Sequence, residues 1–218
     1  GTTATDAGCI PIRNPATGAN YLTEINLAAS VNHANMFFDC VWINSGAVIT
    51  TTTAQAITTP TFPARDANGS TDGEGYRIGI MCTAAVGLAA LSFAATVSYT
   101  NSNGTAGRTA TLANIVGSQA PATPVIGTII WFNLAAGDKG VRSIQSLTLG
   151  VSWVSGTISL FVARPIAFMG TPIVNTTNTR KISDPGIRLY NGTCMLHCAL
   201  TSATTATLWS GDLVIQEK

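Results

Sequence analysis

Five oxygen-bearing side chains stand at alternate positions in the stretch Asp66-Ala-Asn68-Gly-Ser70-Thr-Asp72-Gly-Glu74. That spacing lets carboxylates, an amide and a hydroxyl converge on a hard cation such as calcium. Asp66, Asn68 and Ser70 fall where a helix-loop-helix calcium loop places its early ligands. Thr71, however, stands where that loop needs its glycine, and Arg77 where it needs its closing glutamate. A solvated, turn-rich loop is the simpler reading. Asp66, Asn68, Ser70, Asp72 and Glu74 remain the metal candidates, and no cofactor is expected.

Cys194-Met-Leu-His197-Cys198 offers soft-metal ligands. On a strand the two cysteines share one face and His197 takes the other, so the trio does not converge. No second Cys/His pair completes a tetrahedral zinc site, and core packing is expected instead. Gly104-Thr-Ala-Gly107-Arg108-Thr109 lacks the gap and the lysine of a phosphate loop, and reads as a hairpin connection. His33 and His197 are the available imidazoles, and no serine sits in a G-x-S-x-G elbow. No enzyme is expected. Trp42, Trp131, Trp153 and Trp209 can stack on sugars where exposed, although Trp153 is in line with core residues.

The five cysteines, Cys9, Cys40, Cys82, Cys194 and Cys198, cannot all pair within one chain. They read either as reduced, buried thiols or, for Cys9, as a bond to a neighbouring subunit. Charged residues make up 10% of the 218 positions, against about 25% in ordinary soluble proteins. The polar surface must therefore come from Thr, Ser, Asn and Gly, as suits a chain buried in an assembly or a secreted β domain. With net charge +1 and no Lys/Arg cluster, a nucleic-acid partner is discounted. Sequons at Asn68, Asn103, Asn175 and Asn191 matter only for a protein secreted by a eukaryote. Gly1 and Thr5 fit the loose myristoylation pattern, but a trimmed start or a tag remnant explains a chain opening on glycine.

The elements that must hold these residues are strands. Phe93, Ala95, Val97 and Tyr99 alternate, as do Leu147, Leu149, Val151 and Trp153, with short breaks of Gly, Asn, Ser and Asp between runs. The uncharged run over 78–97 has the length of a membrane span. Its alternation from Ser92 and its mid-run Gly87 favour two strands, and no membrane is expected. Phe37 to Ile43 reads as the first firm strand. Thr157 to Val162 reads as another, following a Ser155-Gly156 turn and ended by Arg164-Pro165. Gly192–Leu200 and Thr207–Gln216 close the chain. Residues 1–35, with Pro11, Pro15 and no clear period, read as an N-terminal arm ordered by contact, apart from a short helix over Thr23–Val31. The predicted fold is all-β: an antiparallel β-sandwich, jelly-roll-like, over 36–218, with the extended arm before it.

Thr71-Asp-Gly-Glu-Gly75, Val97-Ser-Tyr-Thr-Asn-Ser-Asn-Gly-Thr-Ala-Gly-Arg108 and Leu134-Ala-Ala-Gly-Asp-Lys-Gly-Val-Arg-Ser-Ile-Gln-Ser-Leu147 resemble segments of tailed-bacteriophage structural proteins, mainly over residues 40–165. The resemblance supplies no catalytic residue. It implies a virion component of the capsid decoration or cement type, made in the bacterial cytoplasm and seated on the outer capsid surface. Its implied partners are the major capsid protein and its own copies, as a homotrimer. The alternative expectation is a tail or baseplate module that binds host-surface glycans.

Overall fold

The computed structural model describes residues 2–3, 9–87, 94–112, 126–201 and 208–218. Among them every regular element is a strand. The first seven are β1 (Thr2–Thr3), β2 (Asn20–Ala29), β3 (His33–Asn44), β4 (Gln55–Ala56), β5 (Arg77–Ala84), β6 (Ala95–Asn101) and β7 (Arg108–Leu112). The others are β8 (Ile129–Trp131), β9 (Val141–Leu149), β10 (Thr157–Thr171), β11 (Asn178–Lys181), β12 (Ile187–Leu189), β13 (Met195–Thr201) and β14 (Trp209–Glu217). The chain divides into two compact units, Gly1–Ala4 with Cys40–Pro165, and Thr5–Asp39 with Ile166–Lys218.

The first unit is a sandwich. One sheet runs β1, the end of β3, the start of β10, β5 and β8, and the other runs β4-β9-β6-β7. Alternation puts Val97, Tyr99, Leu147 and Leu149 from one sheet into the same buried cluster as Ile78, Ile80, Leu160 and Val162 from the other. The hairpin predicted over the Asn101–Gly107 connection is present, with Val97 opposite Ala110 and Tyr99 opposite Arg108. β5 and β6 lie in different sheets, and residues 88–93 of their connection fall outside the described residues. No described helix is long and apolar enough to cross a membrane.

Two boundaries differ from expectation. The strand leading to Trp153 stops at Leu149. Trp153 is fully buried from a loop, its amide donating to the Ile49 carbonyl at 2.9 Å. Ser155-Gly156 thus carries the chain from one sheet to the other and is no hairpin turn. β10 also continues through Pro165 to Thr171. Its partner β5 ends at Arg77, opposite Ala163, so the missing Pro165 amide removes no bond from that ladder.

In the second unit β2 is the centre of a sheet, flanked by β11 and β12 on one side and by β14 on the other. The start of β3 pairs with β13 from His33–Thr201 to Asp39–Met195. Leu22, Ile25, Leu27, Phe37, Ile166, Met169, Leu189 and Met195 form its core. This corrects the reading of 1–35 as an arm over residues 20–35 and of Thr23–Val31 as a helix, while residues 1 and 4–8 lie outside the described residues. The cause lies at Thr23, the extra residue of a bulge: Val214 pairs with Glu24 and Ile215 with Leu22. The bulge shifts the buried face from Leu22 to Ile25, a three-residue step that hides the strand period.

Cys9 bonds to Cys194 within the chain, with Cα atoms 5.3 Å apart, and Cys40, Cys82 and Cys198 are buried outside any disulfide. The expected intersubunit bond through Cys9 is therefore replaced by an internal one. Spacing could not reveal it, because the partners lie 185 residues apart. Cross-links closing long loops contribute about 2–5 kcal/mol, so Cys9→Ser should lower the melting temperature by about 5–15 °C in calorimetry. The unaltered chain should run as a monomer on both reducing and non-reducing gels.

Candidate functional site

The loop over 66–75 turns its oxygens to its own backbone. Asp66 is fully buried. Its Oδ1 accepts from the amides of Asn68 (2.9 Å) and Ser70 (2.7 Å). Its Oδ2 accepts from Ser70 Oγ (2.7 Å) and from the amides of Gly73 (3.0 Å) and Glu74 (3.1 Å). Burial alone would raise the Asp66 pKa, but these donors, Ser70 foremost, hold it below the ordinary value. Of the remaining candidates, Asp72 faces Arg142 at 3.4 Å, and a Glu74 oxygen accepts from Asn68 Nδ2 at 3.0 Å. Of the five calcium candidates, Asp66, Ser70, Asp72 and Glu74 thus have side-chain oxygens that meet protein partners. No group of three or more His, Cys, Asp or Glu among the described residues is arranged to hold a metal.

The same loop is stitched to the turn before β9. Gly75 N donates to Lys139 O at 3.0 Å and Val141 N to Gly73 O at 3.0 Å. Gly73 has φ +83°, and a Cβ there would lie 1.9 Å from the Val141 carbonyl oxygen, so only glycine fits. Two residues before Gly140, Asp138 gathers the β6–β7 hairpin. It accepts from Tyr99 Oη, from Asn101 Nδ2 at 2.8 Å and from Arg108 Nε at 2.9 Å. Burial opposes the Asp138 charge, yet the bonds from Arg108, Tyr99 and Asn101 hold its pKa at about 2. Residues 71–75, 97–108 and 134–147 therefore meet at one corner of the first unit, tied by the bonds to Asp66 and Asp138.

The Cys/His stretch near the end of the chain departs from expectation at Cys194, which lies just before β13 and is bonded to Cys9 instead of simply packing in the core. Cys194 is in the disulfide, and burial pushes the Cys198 thiol up to about 11, which makes it inert. His197 meets Asn35 Oδ1 at 2.9 Å through Nε2, stacks on Phe37 and meets the Trp209 edge at 5.0 Å. Burial and then the nearby His33 lower its pKa, so it is neutral at pH 7. Of the four tryptophans, Trp42 and Trp153 are fully buried, and Trp131 packs edge-on against Phe161 at 5.1 Å.

Trp209 is different. It lines a cleft of about 430 Å³ in the second unit, together with Phe37, His197 and Leu213. Ile10 to Ile12 form part of the same lining. Sequence reading named Trp209 and His197 but had no means to join them with Ile10, which lies in the stretch taken for an arm.

No family model, curated protein or solved structure matches this chain.

Asp66→Ala should strand several buried amides and cost about 2–4 kcal/mol in denaturant unfolding, with calcium leaving the melting temperature of the unaltered chain unchanged. Asp138 adds a pH dependence. Its folded pKa of about 2 lies below the ordinary 3.8, so its contribution is full above pH 3.8 and is lost as pH falls through about 2. Asp138→Asn should flatten that part of the stability–pH curve.

Proposed function

We propose that this chain is a bacteriophage virion structural protein of the capsid decoration or cement type, binding the major capsid protein and its own copies on the outer shell. The observation that carries the reading is large apolar side chains exposed on a weakly charged surface. Val48, Val151 and Val154 are exposed in the first unit, and Phe168, Ile173 and Val174 in the second. Such residues on a chain with 10% charged positions suit a surface that other subunits cover. The corner held by Asp66 and Asp138 supports the same reading, because the resembling segments act there as fasteners. The Cys9–Cys194 bond suits a protein whose working life is spent in oxidising surroundings outside the cell, as a released particle is.

A second reading is favoured by one observation, the Trp209 cleft, which fits a tail or baseplate module binding host-surface glycans. Mass spectrometry of separated heads and tails decides between them. The chain should be found with heads in many copies, and shells lacking it should lose thermal resistance. Copurification with tails alone, with binding on a glycan array, would replace the first reading by the second.

A further inference from the structure

We propose that the second unit carries a strand-acceptor slot along β14, which takes an extended apolar segment of a neighbouring chain by main-chain pairing. Among the described residues β14 pairs with β2 alone. Its other edge, nine residues long, presents unpaired backbone donors and acceptors. An open edge by itself names no occupant, but here a cleft accompanies it.

Trp209, Gly211, Leu213 and Ile215 of β14 line that cleft, with Ile10 and Ile12 also in its lining. Its volume of about 430 Å³ falls within the range of about 300–1,000 Å³ of pockets that hold ligands. The cleft is open to solvent, and Ile10, Phe37, Trp209 and Leu213 give it a largely apolar lining beside the polar Asn26, His197 and Asp212. Gly211 contributes no side chain to fill it, and a Cβ there would lie 2.2 Å from the Asn26 carbonyl oxygen. The Ile10 segment is fixed in place, since Ile10 N donates to Met195 O at 2.8 Å and Cys9 is bonded to Cys194. The slot is thus preformed, which removes an ordering cost from binding.

An edge ladder beside an apolar cleft takes a strand, whose backbone extends the sheet while alternate side chains enter the cleft. Charge narrows the occupant. Glu217 already accepts from the Thr17 amide and hydroxyl. That leaves exposed Asp212 as the charge of a strand without Lys or Arg, so the segment that fits has aliphatic residues at alternate positions and basic ends. A second copy of β14 fits poorly, because its Trp209, Leu213 and Ile215 already serve as walls. The inference names a partner chemistry for the assembly role proposed above and rests on that role for the partner's source.

The test uses the full chain and the peptide acetyl-Lys-Val-Thr-Val-Thr-Val-Lys-amide, with one control carrying Ser for each Val and another carrying Glu for each Lys. The first peptide should shift Trp209 emission and slow amide exchange across β14. The Ser control should not bind, and the Glu control should bind at least about tenfold more weakly. Leu213→Lys should weaken binding at least about tenfold. Asp212→Lys, at an exposed site, should keep the fold and reverse the preference between the Lys-ended and Glu-ended peptides. Equal binding of the Ser control, unchanged exchange on β14, or protection that grows with protein concentration alone would each overturn the slot. A chain that binds the peptide but is absent from virions would overturn the assembly role and leave the slot standing.

Discussion

A carboxylate taken out of water keeps its charge only where donors replace the water it has lost, and the first unit is organised around two such replacements. Asp66 gathers the amides of its own loop, and Asp138 gathers the β6–β7 hairpin through Tyr99, Asn101 and Arg108. Gly73 lets the loop held by Asp66 approach Val141 at backbone distance beside β9. Were either acid neutral, the donors around it would lose their strongest acceptor, and the loop over 66–75 would be left to its backbone bonds with Lys139 and Val141.

Elsewhere charges are sparse, the Lys218–Asp184 pair being one of them. Its sheets bury aliphatic and aromatic side chains, and its exposed faces present Thr, Ser and Asn. That division leaves little electrostatic repulsion between copies, and leaves side chains such as Phe168 and Ile173 in water. The cleft beside Trp209 repeats the theme in the second unit, with a lining that is largely apolar.

Legibility in the sequence followed local regularity. Val97 and Tyr99 alternate strictly, and their hairpin stands where the period put it. β2 escaped notice because one extra residue at Thr23 turned a two-residue step into a three-residue step. β10 was cut short because a proline argues against a strand unless its neighbour has already ended, which sequence cannot show. The oxygen-rich loop was visible by composition, but the direction of its oxygens depends on backbone folding that places five donors on Asp66. The pairing of Cys9 with Cys194, and the meeting of Ile10 with Trp209, join residues from distant parts of the sequence. Only the fold brings them together.

The second unit draws on residues before Asp39 and after Ile166, with the first unit's Cys40–Pro165 between them. On a ribosome β2 therefore emerges long before any of its partners, β11, β12 and β14, while the strands from β4 to β9 arrive close together. Synthesis order then favours early closure of the first unit, with β2 waiting as a bare strand until the last stretch is translated. The bulge at Thr23 exists only once β14 pairs with β2, so the irregularity that obscures β2 in the sequence is among the last features of the fold to form.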